Sequence, residues 1–302
     1  MGKRTVKQQM FFSIDNHFKP GVSKHNLTPG EREKEHRIHS YQYRDALRDT
    51  ASEFAKFCKE EYNTRYVVDI KQDAAQRFLE EKSKTCSSNT LKQYQSRLNT
   101  LSRLCEDMYG RKLDWETEVP EKAQTEAYRT VAMNRTDWNA LEKRIEAGRE
   151  CDSKYAVKLA EAFGLRVSEA VKITPADIKE NTLHIHQSKG GRSRDIEVRT
   201  EHQRDVLKEL QEYREVNDSE RILKVKTDSV NAYLKNNLEA LNITQYSEHQ
   251  TGVHAIRKMW ATEQYEERRA AGMTHSEAWG RTVVELGHGH QREDLFRVYV
   301  PK

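Results

Sequence analysis

Apolar residues return every three or four positions along heavily charged stretches of this chain, and that period restricts it to a mainly helical fold. From Tyr41 onward, Ala46, Leu47, Ala51, Phe54, Ala55 and Phe57 trace one amphipathic helix. Ala74, Ala75, Phe78 and Leu79 mark a shorter second helix. The clearest is a third, with Thr90, Leu91, Tyr94, Leu98, Leu101 and Leu104 interleaved with Lys92, Arg97 and Arg103. Gly110 follows Tyr109 and suits a helix C-terminus, where a left-handed residue is needed. Residues 41–115 are therefore expected to form a small all-helical domain with basic outer faces.

Before it, residues 1–40 show no sustained period. They mix Lys3, Arg4, Lys7, Lys19 and Lys24 with Phe11, Phe12 and Phe18, and carry two turn signals, Pro20-Gly21 and Pro29-Gly30. This segment reads as an N-terminal extension, either a basic arm for DNA or a partner, or a solvated tail. Residues 116–134, with few periodic apolars and Pro120, read as a linker. A second domain then runs over 135–302, opening on a helix capped by Thr136 or Asp137.

In that domain helices are expected near 200–214, 227–241, 254–271 and 275–287, with Thr274-His275-Ser276-Glu277 as a capping box. One β element interrupts them. Leu183 and Ile185, then Ile196 and Val198, alternate with polar residues on either side of Lys189-Gly190-Gly191-Arg192, the pattern of a hairpin with a glycine turn.

Bulk properties narrow the function classes. The 302 residues suit two domains. Hydrophobic residues make up 35% and charged residues 33%, with mean hydropathy -0.98, so wide charged faces are expected but not disorder. Lys and Arg total 52 against 48 Asp and Glu, a net +4; a nucleic-acid surface must then come from local clustering. Cys58, Cys86, Cys105 and Cys151 have no zinc-ligand or disulfide-framework spacing, so reduced thiols inside the cell are expected. The start of the chain is not an apolar signal segment, and no apolar run reaches the ~20 residues of a membrane span.

Five pieces of the second domain form a set. Arg166 lies in the apolar turn Gly164-Leu165-Arg166-Val167-Ser168-Glu169-Ala170, and is costly to bury unless it meets an anion or pairs with a carboxylate such as Glu169. Lys189, at the hairpin tip, is either an exposed turn residue or a proton donor reaching into a site. His254 and Arg257 share one helix face at i, i+3, where a helix N-terminus favours a phosphate; His254 could equally cap or pack. Leu286-Gly287-His288-Gly289-His290 brings backbone and imidazole close to a ligand or is a His-rich helix end. Tyr299 taken alone is packing. Together these types match phosphodiester transfer: arginines to grip non-bridging oxygens, a nucleophilic hydroxyl, and an acid for the leaving oxygen. A metal site is not expected, since no carboxylate or cysteine completes a ligand set around the histidines.

The order Arg, Lys, His-x-x-Arg, His, Tyr, with the phrases GLRVSEAVKI, SKGGRSRDIEV, HAIRKMWA and ELGHGHQREDLFRVYV, resembles the tyrosine recombinase (phage integrase) family. The likeness covers about residue 135 to the end, and more loosely 41–110, which is similar to the family's core-binding domain. It implies a mainly α, two-domain DNA clamp: a helical core-binding domain and a mostly helical catalytic domain with a small β-hairpin. It also implies a site-specific recombinase, without cofactor or metal, that integrates or excises a mobile element through a 3′-phosphotyrosyl intermediate. Arg166 and Arg257 would bind the scissile phosphate and Lys189 would be the general acid. His254 would assist at the tyrosine hydroxyl or hold the phosphate, His288 would donate to a phosphate oxygen, and Tyr299 would be the nucleophile. The expected partners are double-stranded DNA, further copies in a tetramer on two sites, and accessory DNA-bending or directionality proteins, in the cytoplasm of a bacterium or encoded by a phage. A relaxing topoisomerase of type IB and a non-catalytic DNA-binding regulator are the competing readings.

Three departures stand out. The family's usual spacing to the tyrosine fits His290, whereas the phrase Leu286-Gly287-His288 favours His288. Lys258 follows the box arginine where a histidine is common. Only Val300, Pro301 and Lys302 follow Tyr299, where many members of the family carry a further helix; this leaves open how subunits would couple, with the N-terminal extension one alternative source of contacts.

Overall fold

The structure, a computed structural model, describes residues 4–21, 28, 30, 38–113, 115, 117–121, 131–186, 193–248, 251–290 and 292–300. It divides into two compact units, residues 1–126 and 127–302.

The first unit is helical: α1 (Val6–Asn16), α2 (Tyr41–Tyr62), α3 (Ala74–Ser83) and α4 (Ser88–Tyr109). The three periodic segments fall on α2, α3 and α4. Gly110 ends α4 in the left-handed conformation, φ 65°. Helix α1 is a departure from the sequence reading, which found no sustained period there. Its buried stripe holds only three apolar residues, Val6, Met10 and Ile14, alongside polar Gln9 and Ser13. Phe11 and Phe12 lie off that stripe, which blurs the period; Arg4 stacks on Phe12 and Arg48 on Phe11. The local signal was the capping box: Thr5 Oγ1 accepts from Gln8 N–H at 3.3 Å and Gln8 Oε1 accepts from Thr5 N–H at 2.9 Å. Gln9 is satisfied by receiving Val67 N–H and donating to Arg4 O, so its burial carries no unpaired polar atom. Met10 and Ile14 join Leu47, Phe54, Leu98 and Leu101 in one core, and Trp115 closes it edge-on to Phe54 at 5.2 Å.

The second unit holds α5 (Arg135–Glu146), α6 (Asp152–Phe163), α7 (Val167–Ala170), β1 (Ile178–Lys179), β2 (Thr182–Ile185), β3 (Arg194–Glu197), α8 (Glu201–Tyr213), α9 (Thr227–Glu239), α10 (Gln245–Glu248), α11 (Val253–Ala270), α12 (His275–Glu285) and α13 (Phe296–Tyr299). Asn134, not Thr136 or Asp137, caps α5: its side chain accepts from Asp137 N–H at 2.8 Å. Asp137 is instead occupied by Tyr246 and Gln245. Helix α6 is buried on every face, so its sequence shows no stripe. Its charges are paired inside, Lys154 and Lys158 with Glu146, and Glu161 with Arg135 and His202. The strands form an antiparallel sheet in the order β1-β2-β3, with Leu183 opposite Ile196. Leu183, Ile185, Ile196 and Val198 all face the core, the alternation fixing the register. The hairpin tip, with Lys189, lies outside the described residues. No described helix is long and apolar enough to cross a membrane, and none of the four cysteines is in a disulfide.

Candidate active site

Helix α6 stops at Gly164, φ 61°, where a Cβ would stand 2.4 Å from the Trp260 ring. Only glycine lets the chain turn there so close to α11. The turn delivers Arg166 to the start of α7. Glu169, three residues on, accepts from Arg166 N–H at 2.9 Å and from Arg166 Nη1 at 2.7 Å. The ion pair foreseen as the alternative to an anion site therefore exists, and it does not exhaust the guanidinium: Nη2 reaches His288 Nε2 at 3.1 Å.

Arg257 rises from α11 into full burial, 0% exposed. Its Nη1 donates to Gly164 O and its Nη2 to Leu286 O, which fixes the guanidinium against both glycine turns. Its Nε has no hydrogen-bond partner among the described residues. A buried cationic donor left unpaired is costly, and an incoming anion would relieve it. Burial pulls the Arg257 pKa down to about 10, still leaving a cation at neutral pH.

Tyr299 is carried on α13 and is 4% exposed. Its ring sits edge-on to His254 at 5.4 Å and to His288 at 5.5 Å, with the Arg257 guanidinium 5.6 Å away. Its hydroxyl is 3.0 Å from His288 Nε2. Arginine can only donate, so Nε2 presents its lone pair to Arg166, and the Tyr299 hydroxyl lies within hydrogen-bond distance of the same atom. Burial, then the fields of Arg166, Arg257, Arg292 and Arg194, push the His288 pKa down to about 4, so the imidazole is neutral at pH 7 with its proton on Nδ1. That is a neutral imidazole placed against a phenol hydroxyl, an arrangement chemically able to take up the hydroxyl proton.

The structure thus brings Arg166, His254, Arg257, His288 and Tyr299 together. His290 is exposed. His288 Nε2 lies against the Tyr299 hydroxyl, and His254, for which the resemblance implied help at that hydroxyl or a hold on the phosphate, flanks the phenol ring. Arg166, His254 and Arg257 also line a cleft of about 440 Å³ that continues past Asn231 and Lys235 of α9. Lys258, in place of the common histidine, is buried, and desolvation lowers its pKa to about 8.

Sequence reasoning missed Arg194. Its Nη1 and Nη2 donate to Glu169 at 3.0 and 2.9 Å, and its Nε donates to Glu285 O at 2.7 Å. Nothing in the phrase SKGGRSRDIEV distinguishes Arg194 from Arg192. Gly287, φ 71°, leaves room for it: a Cβ there would lie 2.7 Å from Arg194 Nη1. Among the described residues, no His, Cys, Asp and Glu side chains gather in a group that could hold a metal ion.

Residues 129–270 match the model of the phage integrase family, a span that includes Arg166, Lys189, His254 and Arg257. No curated protein sequence matches the chain. Among solved structures, the XerH site-specific recombinase bound to a palindromic difH substrate is similar with a TM-score of 0.61 at 16% identity, over 97% of this chain and 90% of that one. A lambda integrase dimer bound to a COC′ core site is similar with a TM-score of 0.60 at 14% identity, over 98% and 77%. The Tn1549 transposon integrase in complex with circular intermediate DNA follows at 0.54 and 14%, over 96% and 97%. Within the second unit, residues 129–270 carry the phage integrase family match, and the chain has the fold of the tyrosine recombinases.

Proposed function

We propose that the chain is a site-specific DNA recombinase that cuts and rejoins duplex DNA through a phosphotyrosyl bond made by Tyr299. The observation that carries this reading is the Tyr299 hydroxyl held at 3.0 Å from a neutral imidazole that also receives Arg166. Arg166 and Arg257 bind the non-bridging oxygens of the scissile phosphate, where charge grows in the transition state. His288 Nε2 takes the phenol proton as Tyr299 Oη attacks phosphorus. The P–O5′ bond breaks, and Lys189 protonates the departing 5′-oxygen. His254 flanks the phenol and completes the phosphate cradle at the start of α11. The product, a 3′-phosphotyrosyl ester, exchanges one phosphodiester for another, so a 5′-hydroxyl can reverse the step without nucleotide hydrolysis.

The solved relatives support a DNA-bound oligomer: lambda integrase forms a tetramer bound to a Holliday junction. For this chain the corresponding assembly is a tetramer on two duplex sites, joined by accessory DNA-bending or directionality proteins and serving a mobile element. The first unit, with basic residues on its helices, is the core-binding domain of the clamp.

The test mixes the full chain with nicked duplex fragments from a pooled genomic library, in EDTA and without ATP. Protein joined to DNA 3′ ends, and lost in Tyr299→Phe, is the expected result. DNA binding without an adduct would favour a non-catalytic regulator. Relaxation of supercoils without junctions between duplexes would favour a topoisomerase. An adduct surviving Tyr299→Phe would remove Tyr299 as nucleophile.

A further inference from the structure

We propose that Asn231 of α9 is a positioning residue for strand cleavage: an uncharged cap, lent by a neighbouring helix, for the turn of α11 that carries His254 and Arg257. The inference rests on the recombinase reading above and concerns a side chain outside the set that the sequence singled out.

Three observations carry it. First, α11 begins without a cap of its own. Gly252 precedes it at φ 53° and has no side chain to offer the helix. The N–H groups of His254 and Ala255 turn back to Thr251 O and Gly252 O, at 3.1 and 3.0 Å. The N–H of Val253 is met from α9 instead, by Asn231 Oδ1 at 3.3 Å. The first turn of a helix has to find acceptors outside its own ladder, and here one comes across from another element. Second, that acceptor is held in place. Asn231 Nδ2 donates to Thr227 O at 3.2 Å, which turns the amide oxygen toward α11. Val230, Leu234 and Leu238 bury the inner face of α9. A Cβ at position 252 would stand 2.7 Å from Asn231 Oδ1, so the Gly252 backbone packs directly against it. Third, Asn231 shares the cleft of about 440 Å³ with Arg166, His254, Arg257 and Lys235, and among the described residues no aspartate or glutamate lines it. An aspartate would cap a helix as well as an asparagine does, and would suit its positive end. It would also put a negative charge in the cleft that is to hold the scissile phosphate. The neutral amide supplies the acceptor without the charge.

The experiment compares Asn231→Ala and Asn231→Asp with the unaltered full chain, on a nicked duplex recovered by adduct trapping. Single-turnover adduct formation is followed against DNA concentration at low and high salt, beside thermal unfolding and amide hydrogen exchange at Val253. Asn231→Ala removes the cap. Its adduct rate at saturating DNA is expected to fall about tenfold, part of the roughly 100-fold that a 1 Å misplacement of reacting groups costs. Its half-saturating DNA concentration is expected to stay unchanged, and the Val253 amide to exchange faster. Asn231→Asp keeps the acceptor, so exchange and unfolding temperature are expected to stay as they are. Its half-saturating DNA concentration is expected to rise about tenfold at low salt and less at high salt, as ions screen the added charge. The two variants thus fail in different quantities, which a purely structural role would not produce. If the alanine variant does not fold, the aspartate variant carries the test. An unchanged saturated rate in Asn231→Ala overturns the proposal, and so does an Asn231→Asp chain that binds DNA at low salt like the unaltered one. A loss of rate common to both variants that tracks their unfolding temperatures makes Asn231 a stability residue alone and overturns it too. If the unaltered chain forms no adduct on any fragment, the recombinase reading itself fails and this inference with it.

Discussion

His288 is the residue whose chemistry depends most on its neighbours. Burial, then the fields of four arginines, hold its pKa down to about 4, against about 6.5 for a free imidazole. In the free protein it therefore stays an acceptor for the Tyr299 hydroxyl well below neutral pH. The rate of adduct formation at sub-saturating DNA reports the free enzyme. Its acid limb is expected near pH 4 to 5, with no inflection between 6 and 7 from this residue, and a rate profile in Tyr299-dependent adduct checks it. At saturating DNA the bound phosphate offsets the arginine fields, and the limb is expected to move up. The sign of the stability effect follows from the same shift: the unfolded chain takes up the proton first, so the contribution is intact above about pH 6.5 and declines as pH falls toward 4. A limb at pH 6 to 7 in the sub-saturating profile would mean that His288 is not the base.

Helix α1 shows how an element can be structural without looking so in sequence. Met10 is fully buried between α2 and α4, at the centre of the first unit's core. Met10→Ala is expected to destabilise that unit by about 2–5 kcal/mol, the usual cost of a large-to-small change in a packed core. Urea unfolding followed by a probe in the first unit measures it, and a loss below about 0.5 kcal/mol, as at an exposed surface site, would place α1 outside the core. The same comparison explains α6. Its buried charges are paired with α5 and α8, so a segment with no one-sided stripe is an internal helix with its ions satisfied.

At the scale of the whole molecule, the net +4 is too small to bind DNA by bulk charge, so affinity has to come from clustered phosphate contacts. If the protein makes about 6–10 of them, affinity is expected to fall roughly 10³ to 10⁵-fold between about 50 and 200 mM salt. A binding series over that range on one duplex tests this, and a flat series would argue against extended backbone contact. The two units each carry their own hydrophobic core, consistent with two separately packed domains in a chain of this length.

What the sequence by itself determined is what short-range physics writes into neighbouring residues. Periods of three and four gave α2, α3, α4, α8, α9, α11 and α12; alternation around a glycine turn gave β2 and β3; Thr274 and Gly110 marked helix ends. The order of site residues was legible too, because each box is a local phrase. The tertiary structure alone decided which of these groups meet. His288 and Arg166 are 122 residues apart in the chain and 3.1 Å apart in space. Arg194 reaches Glu169 across 25 residues and no local pattern announces it. Ion pairs and orphan donors such as Arg257 Nε arise from how buried charges are shared among distant segments, and that sharing has no period to read.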